Sequence, residues 1–344
     1  MKLSFIYSQK MKKKTITFGE VLMRLTPDSY ATFAQSKSLN MEFGGGEANV
    51  GITLAYLGEE ASHVTAFPDN YLGRAATQFL RHHWLQSDFI RFLEGRMALY
   101  FVEQGMVHRP SRVVYDRDDT AFSKVLEDTF DWKQILSDAD WMHWTAITPA
   151  IGPGPTASLQ KALEEASHCK TKVSCDLTYR AQLWKDGRKP HEVLPQLLTH
   201  VDVLMGSPFD FSKATGEDKI ADMSFEEAAA LMKDKFPNIE LVADKIRNTK
   251  HASHYTIEGV IWNGQKKITT ETIDIPQVVE RIGSGDAFAA GLIYGLLHYQ
   301  DQQEALRFAA ATCALKHTLV GDICPVHLDD VKRVMQGNKA NILR

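Results

Sequence analysis

Residues Glu280 to Leu297 read ERIGSGDAFAAGLIYGLL. The run opens with a glycine-rich turn, Gly283-Ser284-Gly285, that leads into Asp286. Behind it Phe288, Leu292, Ile293, Leu296 and Leu297 recur at three- and four-residue spacing, the period of a helix with one buried face. The turn and the aspartate therefore stand at a helix N-terminus, where the first backbone N–H groups lack internal partners and carry partial positive charge. Glycines let an anionic group approach those N–H groups closely. A carboxylate in the same turn repels an anion, so its use lies elsewhere: it can take a proton from a hydroxyl that then attacks a phosphate. An aspartate that merely caps a helix beside a tight loop gives the same short G-x-G-D string, and the decision passes to the rest of the chain.

A second glycine-rich stretch, Phe43 to Gly58, reads FGGGEANVGITLAYLG. Three glycines precede a helix with Val50, Leu54 and Leu57 on one face, and Gly58 closes it. Asn49 projects from the first turn, and the glycines let a small ligand lie against the backbone, although a loop needing positive φ angles would read the same way.

These two strings, in this order and at this separation, resemble the signatures of the ribokinase-like (PfkB-type) carbohydrate kinases, G-G-x-x-x-N near the N-terminus and G-A-G-D near the C-terminus. The resemblance extends over the chain from about residue 15 onward. It implies an α/β fold, a three-layer sandwich with a small β-sheet lid, and ATP and Mg2+ as cofactors. It also implies Asp286 as catalytic base, Gly283, Ser284 and Gly285 as anion hole, and Gly45 and Asn49 as sugar contacts. Ser284 stands where alanine is commoner, a change the backbone tolerates.

Size and composition fit such a chain. It has 344 residues, 44% of them apolar and 24% charged, with a formal net charge of −4. That charge gives no electrostatic reason for a nucleic-acid or anionic-membrane partner. No apolar run approaches the roughly 20 residues that span a bilayer. Cys169, Cys175, Cys313 and Cys324 fit neither a zinc site nor a disulfide framework, which suits reduced thiols in the cytoplasm. The pairs His82-His83 and His251-x-x-His254 lack further ligands at metal spacing. Residues 1–14 read as a disordered N-terminal extension without a signal peptide, with Met11 as an alternative start. Residues 15–335 read as a single domain, with lid segments near 20–43 and 95–118, and 336–344 as a fraying tail.

Along the chain, strand and helix patterns alternate, the rhythm of a parallel sheet with crossover helices. Thr15 to Leu25 predicts a strand turning at Gly19-Glu20, and Phe33 to Phe43 an exposed strand. Gly95 to Arg117 interrupts the rhythm with two β-rich runs, a hairpin carrying Arg96, Tyr100, Arg109, Arg112, Tyr115 and Arg117. A solvated edge strand carries such charges against aggregation, yet tyrosine and arginine are also what a lid over an anionic polyol needs. R-x-A-L-Y-F-x-E-x-G followed by R-P-S-R-V-V-Y-D-R resembles the bacterial 2-keto-3-deoxygluconate kinases within the same family. That resemblance implies that Tyr100, Tyr115 and Arg117 hold a sugar acid. It implies a place between substrate and phosphates for Arg180, in the string DLTYRAQLW, and a contact with substrate hydroxyls for Asp322.

Ile147 to Thr156, with three prolines, predicts a loop, and Ser158 to His168 a helix. Two stretches depart from the family pattern. Ser207-Pro208-Phe209-Asp210 stands where N-x-x-E is usual, so Ser207 is assigned to the nucleotide and Asp210 to magnesium through water. Lys245-Ile246-Arg247-Asn248-Thr249 replaces a G-x-x-G turn. It predicts a loop in which Lys245 and Arg247 bind phosphate by charge, or one that is simply solvated. The expected activity is transfer of the γ-phosphoryl of ATP to 2-keto-3-deoxygluconate. A kinase for another sugar such as fructose, and a non-catalytic sugar sensor on a kinase scaffold, are the alternatives. An exposed lid sheet favours a homodimer.

Overall fold

The computed structural model describes residues 12–337. Residues 1–11, with the alternative start at Met11, and 338–344 lie outside the described residues. Lys14, assigned to the extension, already opens the first strand.

The strands are β1 (Lys14–Phe18), β2 (Leu22–Thr26), β3 (Asn40–Gly44), β4 (Glu60–Pro68), β5 (Ile90–Leu93), β6 (Ala98–Glu103), β7 (Arg112–Asp116), β8 (Trp141–Thr145), β9 (Lys172–Asp176) and β10 (Val203–Met205). After them come β11 (Leu241–His251), β12 (His254–Trp262), β13 (Lys267–Thr269) and β14 (Ile273–Ile275). Ten of these form one sheet in the order β13-β12-β11-β10-β9-β8-β1-β4-β5, with β14 beside β12. From β11 across to β5 every pairing is parallel, and the β12 pairings are antiparallel.

Side-chain alternation sends successive residues to opposite faces of this sheet. Leu241 and Ala243 enter one apolar cluster with the helices Gly46–Tyr56, Ser284–His298 and Gln302–Lys316. Val242 enters the other, with the helices Pro153–Cys169 and Phe225–Lys235. The result is a helix–sheet–helix sandwich. Because both faces are covered, the central strands are near-continuous apolar runs such as the fully buried Trp141–Thr145.

A separate sheet, β3-β2-β6-β7, uses the two predicted lid segments. β6 and β7 form the predicted hairpin, with Tyr100 opposite Tyr115. The four cysteines are free thiols. Among the described residues, no helix is long and apolar enough to cross a membrane.

Three local expectations differ from the structure. The Ile147–Thr156 stretch is not a loop: it holds a short helix, Ile147–Ala150, and the start of the helix Pro153–Cys169. Proline is suited to a first helical turn, where its missing N–H would have no partner. Lys245 to Thr249 is also no loop. β11 runs straight through it, paired residue by residue with β12, so cross-strand hydrogen bonds outweigh the charge of the segment. Only the last part of Phe33–Phe43 is strand. The residues before it turn, with the Gln35 and Ser36 amides bonded to the Thr32 carbonyl.

Candidate active site

Parallel strands place their C-terminal ends along one edge of the sheet, where ligands of open α/β folds bind. At that edge stand Glu20 after β1, Thr145 closing β8, Asp176 closing β9, Ser207 after β10 and Lys245 in β11.

Asp286 lies in the first turn of the helix Ser284–His298. Gly283 precedes it at φ 81°, a left-handed conformation that favours glycine, and a Cβ there would overlap the Asp322 carbonyl oxygen. The Ser284 N–H donates to the Arg281 carbonyl at 3.2 Å. Among the described residues, the Gly285 and Asp286 amides meet no acceptor. The Gly283 amide meets none either, so the open donors of the turn are the Gly283, Gly285 and Asp286 amides, whereas the Ser284 amide, expected to help bind an anion, is engaged within the turn.

Asn49, in the first turn of the helix Gly46–Tyr56, donates from Nδ2 to Asp286 Oδ2 at 2.7 Å. The two signature strings therefore meet side chain to side chain. Close approach explains two of the three glycines: a Cβ on Gly44 would overlap the Asp322 carboxylate and one on Gly45 the Glu20 carbonyl, whereas one on Gly46 would stand at an ordinary 3.7 Å from Asp286 Oδ1. Burial pushes the Asp286 carboxyl up to about 7 against the Asn49 hydrogen bond; Asp176 and Asp322 add to the rise and Lys245 opposes it. A carboxyl poised near neutrality is suited to proton removal.

On the nucleotide-candidate side, a Cβ on Gly285 would lie 3.1 Å from Lys245 Nζ and 4.0 Å from Asp176 Oδ2. Burial acts to lower the Lys245 ammonium, but Asp176 and Asp244 outweigh it and hold it above its usual range. Burial also pushes the Asp244 carboxyl up to about 7. Arg247 lies over the Tyr255 ring at 5.4 Å. Ser207 caps the helix Pro208–Thr215, and Asp210 Oδ2 accepts from both its amide, at 3.0 Å, and its hydroxyl. Asp210 Oδ1 accepts from the Tyr179 amide at 3.1 Å. Both Asp210 oxygens thus hold protein donors. Among the described residues, no group of three or more His, Cys, Asp or Glu side chains is placed to hold a metal ion.

On the lid side, Arg117 is buried and donates from Nε to Glu20 Oε2 at 2.7 Å. Its Nη1 and Nη2 meet no acceptor among the described residues. With Tyr115, Ile151, Leu183 and Lys185 it lines a cleft of about 320 Å³. Glu20 links this cleft to Asp286, since its backbone packs on Gly45, four residues before Asn49. Tyr115 stacks on Tyr100 with ring centroids 6.1 Å apart.

Two predicted substrate residues already hold protein partners. The Tyr100 hydroxyl and the Asp322 carboxylate bond to each other, and Asp322 Oδ1 takes Arg24 Nη1. Arg24 Nη2 reaches Glu280 at 2.6 Å, and Gln104 donates to the same Glu280 oxygen at 2.8 Å. Arg180 is exposed, with its guanidinium bonded to the Tyr179 carbonyl, and touches none of the other site residues.

Sequence reasoning missed Arg24, Glu280, Glu20 and Glu47. Glu47 is buried and accepts from the Thr145 amide at 3.1 Å, the Thr145 hydroxyl at 2.7 Å and the Thr148 hydroxyl at 2.9 Å, which pins the Asn49 helix to the end of β8. The signal for Arg24 was legible: a lone charge inside the apolar run Val21-Leu22-Met23-Arg24-Leu25.

Residues 12–327 match the pfkB family carbohydrate kinases. The chain belongs to the PfkB family. One curated relative is the 2-dehydro-3-deoxygalactonokinase of Haloferax volcanii, 31% identical over 335 residues, covering 97% of this chain and 100% of that protein. The crystal structure of 2-dehydro-3-deoxygluconokinase from Thermotoga maritima superposes with a TM-score of 0.89 at 35% identity, covering 94% of this chain and all of that one. A PfkB family carbohydrate kinase from Listeria grayi matches with a TM-score of 0.87 at 30% identity, covering 94% and 100%. The sandwich and the small four-stranded sheet of the PfkB protein described here are thus those of the ribokinase-like fold.

Proposed function

We propose that this PfkB carbohydrate kinase moves the γ-phosphoryl of ATP to the terminal hydroxyl of 2-keto-3-deoxygluconate, giving the 6-phosphate and ADP. The observation that carries the choice of an acid substrate is Arg117, which lines the cleft together with Asp118, Lys185 and Asp186 and whose two terminal nitrogens meet no acceptor among the described residues. A planar carboxylate accepts such a fork through two parallel hydrogen bonds. The Haloferax and Thermotoga relatives carry names of kinases for two such acids, which differ at one hydroxyl-bearing carbon.

In the reaction the substrate hydroxyl gives its proton to Asp286. The oxygen attacks the γ-phosphorus, the bond from that phosphorus to the β,γ-bridging oxygen breaks, and ADP leaves with the electron pair. The Gly283, Gly285 and Asp286 amides meet the charge that develops on the transferring group. Positioning and charge stabilisation carry most of such a transfer. Asn49 and the Gly45 backbone orient the reacting hydroxyl beside Asp286, with Tyr100, Tyr115 and Asp322 along the sugar and Arg180 swinging inward when phosphates are present. Lys245 and Arg247 hold the phosphates by charge, and Ser207 borders the nucleotide. Asp210 would hold Mg2+ through water, and the ion would supply charge neutralisation of the nucleotide phosphates.

A coupled assay of ADP release across 2-keto-3-deoxygluconate, 2-keto-3-deoxygalactonate, fructose and no sugar tests the reading. It stands if turnover requires a 2-keto-3-deoxy acid. Preference for fructose would overturn the substrate assignment, and no sugar-dependent turnover would favour the sensor alternative.

A further inference from the structure

The turn that carries Asp286 rests on a second piece of chain, and that piece holds a buried cation with no part in the scheme above. Lys316 ends the helix Gln302–Lys316 and is fully buried. The residue after it supports the approach to the turn: the Val279 amide donates to the His317 carbonyl at 2.8 Å, and the Glu280 amide shares that acceptor. A Cβ built on Gly283 would lie 3.2 Å from Lys316 Cε. The lysine stem therefore packs directly behind the first glycine of the turn.

The ammonium is short of partners. Among the described residues its one hydrogen bond is to the Leu319 carbonyl at 3.2 Å, and it forms no direct ion pair. Burial lowers it from the usual lysine range, while Glu280 and Asp322 act to keep it charged and Arg24 opposes them. Those two carboxylates are already paired with Arg24. A lysine kept only for packing would be better served by an apolar side chain of similar length, since burying an unpaired charge is costly. The negative end of its own helix offsets part of that cost.

We infer that Lys316 is a positioning residue of the phosphoryl-transfer site, a fixed cation behind Gly283 that holds the 280–285 turn in register and adds positive potential where charge builds on the transferring group. This rests on the phosphoryl-transfer reading of Asp286. A charge placed behind the turn acts on the transition state more than on the bound substrates, because the transferring group becomes more demanding of positive potential as it moves.

The test compares wild type, Lys316→Met and Lys316→Ala in the coupled assay, with thermal unfolding as a check on folding. Lys316→Met is expected to lower kcat by at least about tenfold while the KM for ATP and for the sugar acid stays within about threefold. In Lys316→Ala, ammonium chloride is expected to raise kcat by about threefold or more over sodium chloride of equal ionic strength, as a small cation refills the space. Folded Lys316→Met with wild-type kcat would overturn the inference. If that variant does not fold, a Lys316→Ala protein indifferent to ammonium overturns it instead. Wild type without sugar-dependent turnover would strike at the kinase reading itself, a result distinct from either.

Discussion

Asn49 and Asp286, 237 positions apart, share a 2.7 Å hydrogen bond that joins the two glycine-rich strings. The amide donates, so it favours the ionised carboxylate, while burial favours the protonated acid and wins, setting the group near 7. Only the ionised form can take a proton. The acid limb of kcat/KM is therefore expected near pH 7, with activity falling below it. Asn49→Ala removes the one hydrogen bond that opposes the rise, so the limb should move to higher pH. A limb unmoved by this change in pH–rate profiles would separate Asn49 from the base.

Asp286→Asn should keep both substrates in binding titrations and lose at least about a hundredfold in kcat, the lower end of what a positioned base supplies. Retained turnover would remove Asp286 from the role.

The same shift has a stability consequence. An unfolded Asp286 ionises near 3.8, the ordinary value for an aspartate, whereas the folded one holds its proton to about 7. Stability from this group falls as pH rises between those values, and the penalty is complete above 7. Asp286→Asn should thus unfold at a higher temperature than wild type at pH 8, with the gap shrinking toward pH 5. Equal melting temperatures at pH 8 would contradict the sign.

Arg24→Met leaves Glu280 and Asp322 buried and without their shared cation. A loss of about 3–5 kcal/mol is expected in urea unfolding. Adding Glu280→Gln and Asp322→Asn should recover part of it, since the uncompensated charges are then gone.

Gly283→Ala and Gly285→Ala separate backbone from charge effects. The first forces a side chain into a left-handed conformation against the Asp322 carbonyl and should cost about 1–3 kcal/mol together with most of kcat. The second meets only the mobile end of Lys245, so the protein should fold normally while its KM for ATP rises.

Arg117→Lys keeps a cation for Glu20 and gives up the planar fork. The KM for a sugar acid should rise about tenfold, with little change for a neutral sugar. Equal effects on both would mean that Arg117 only braces Glu20.

The alternating strands and helices and the hairpin of the small sheet were legible in the sequence because each leaves a local mark, whereas their arrangement as a sandwich came from the family resemblance and the bond between Asn49 and Asp286 was not read at all. Apolar spacing marks the helices, glycine marks close backbone approach, and paired tyrosines and arginines mark the hairpin. Arg24 shows what local marks omit. Its partners lie 256 and 298 residues away, and no spacing rule reports that Glu280 and Asp322 fold back onto one strand. Lys245 to Thr249 misleads for a related reason: its charges suggest a solvated loop, but its neighbour β12 supplies a full ladder of hydrogen bonds. Arg180 carries the right string, yet its guanidinium rests on the Tyr179 carbonyl, a position that depends on side-chain freedom.

Arg24 sits at the middle of β2, an inner strand of the small sheet. Swinging that sheet as one rigid flap would drag the guanidinium off two acids in a dry setting. Flexing β7 alone, the outer strand that bears Tyr115, leaves the trio undisturbed. Any opening that keeps the trio intact is therefore confined to the β7 rim.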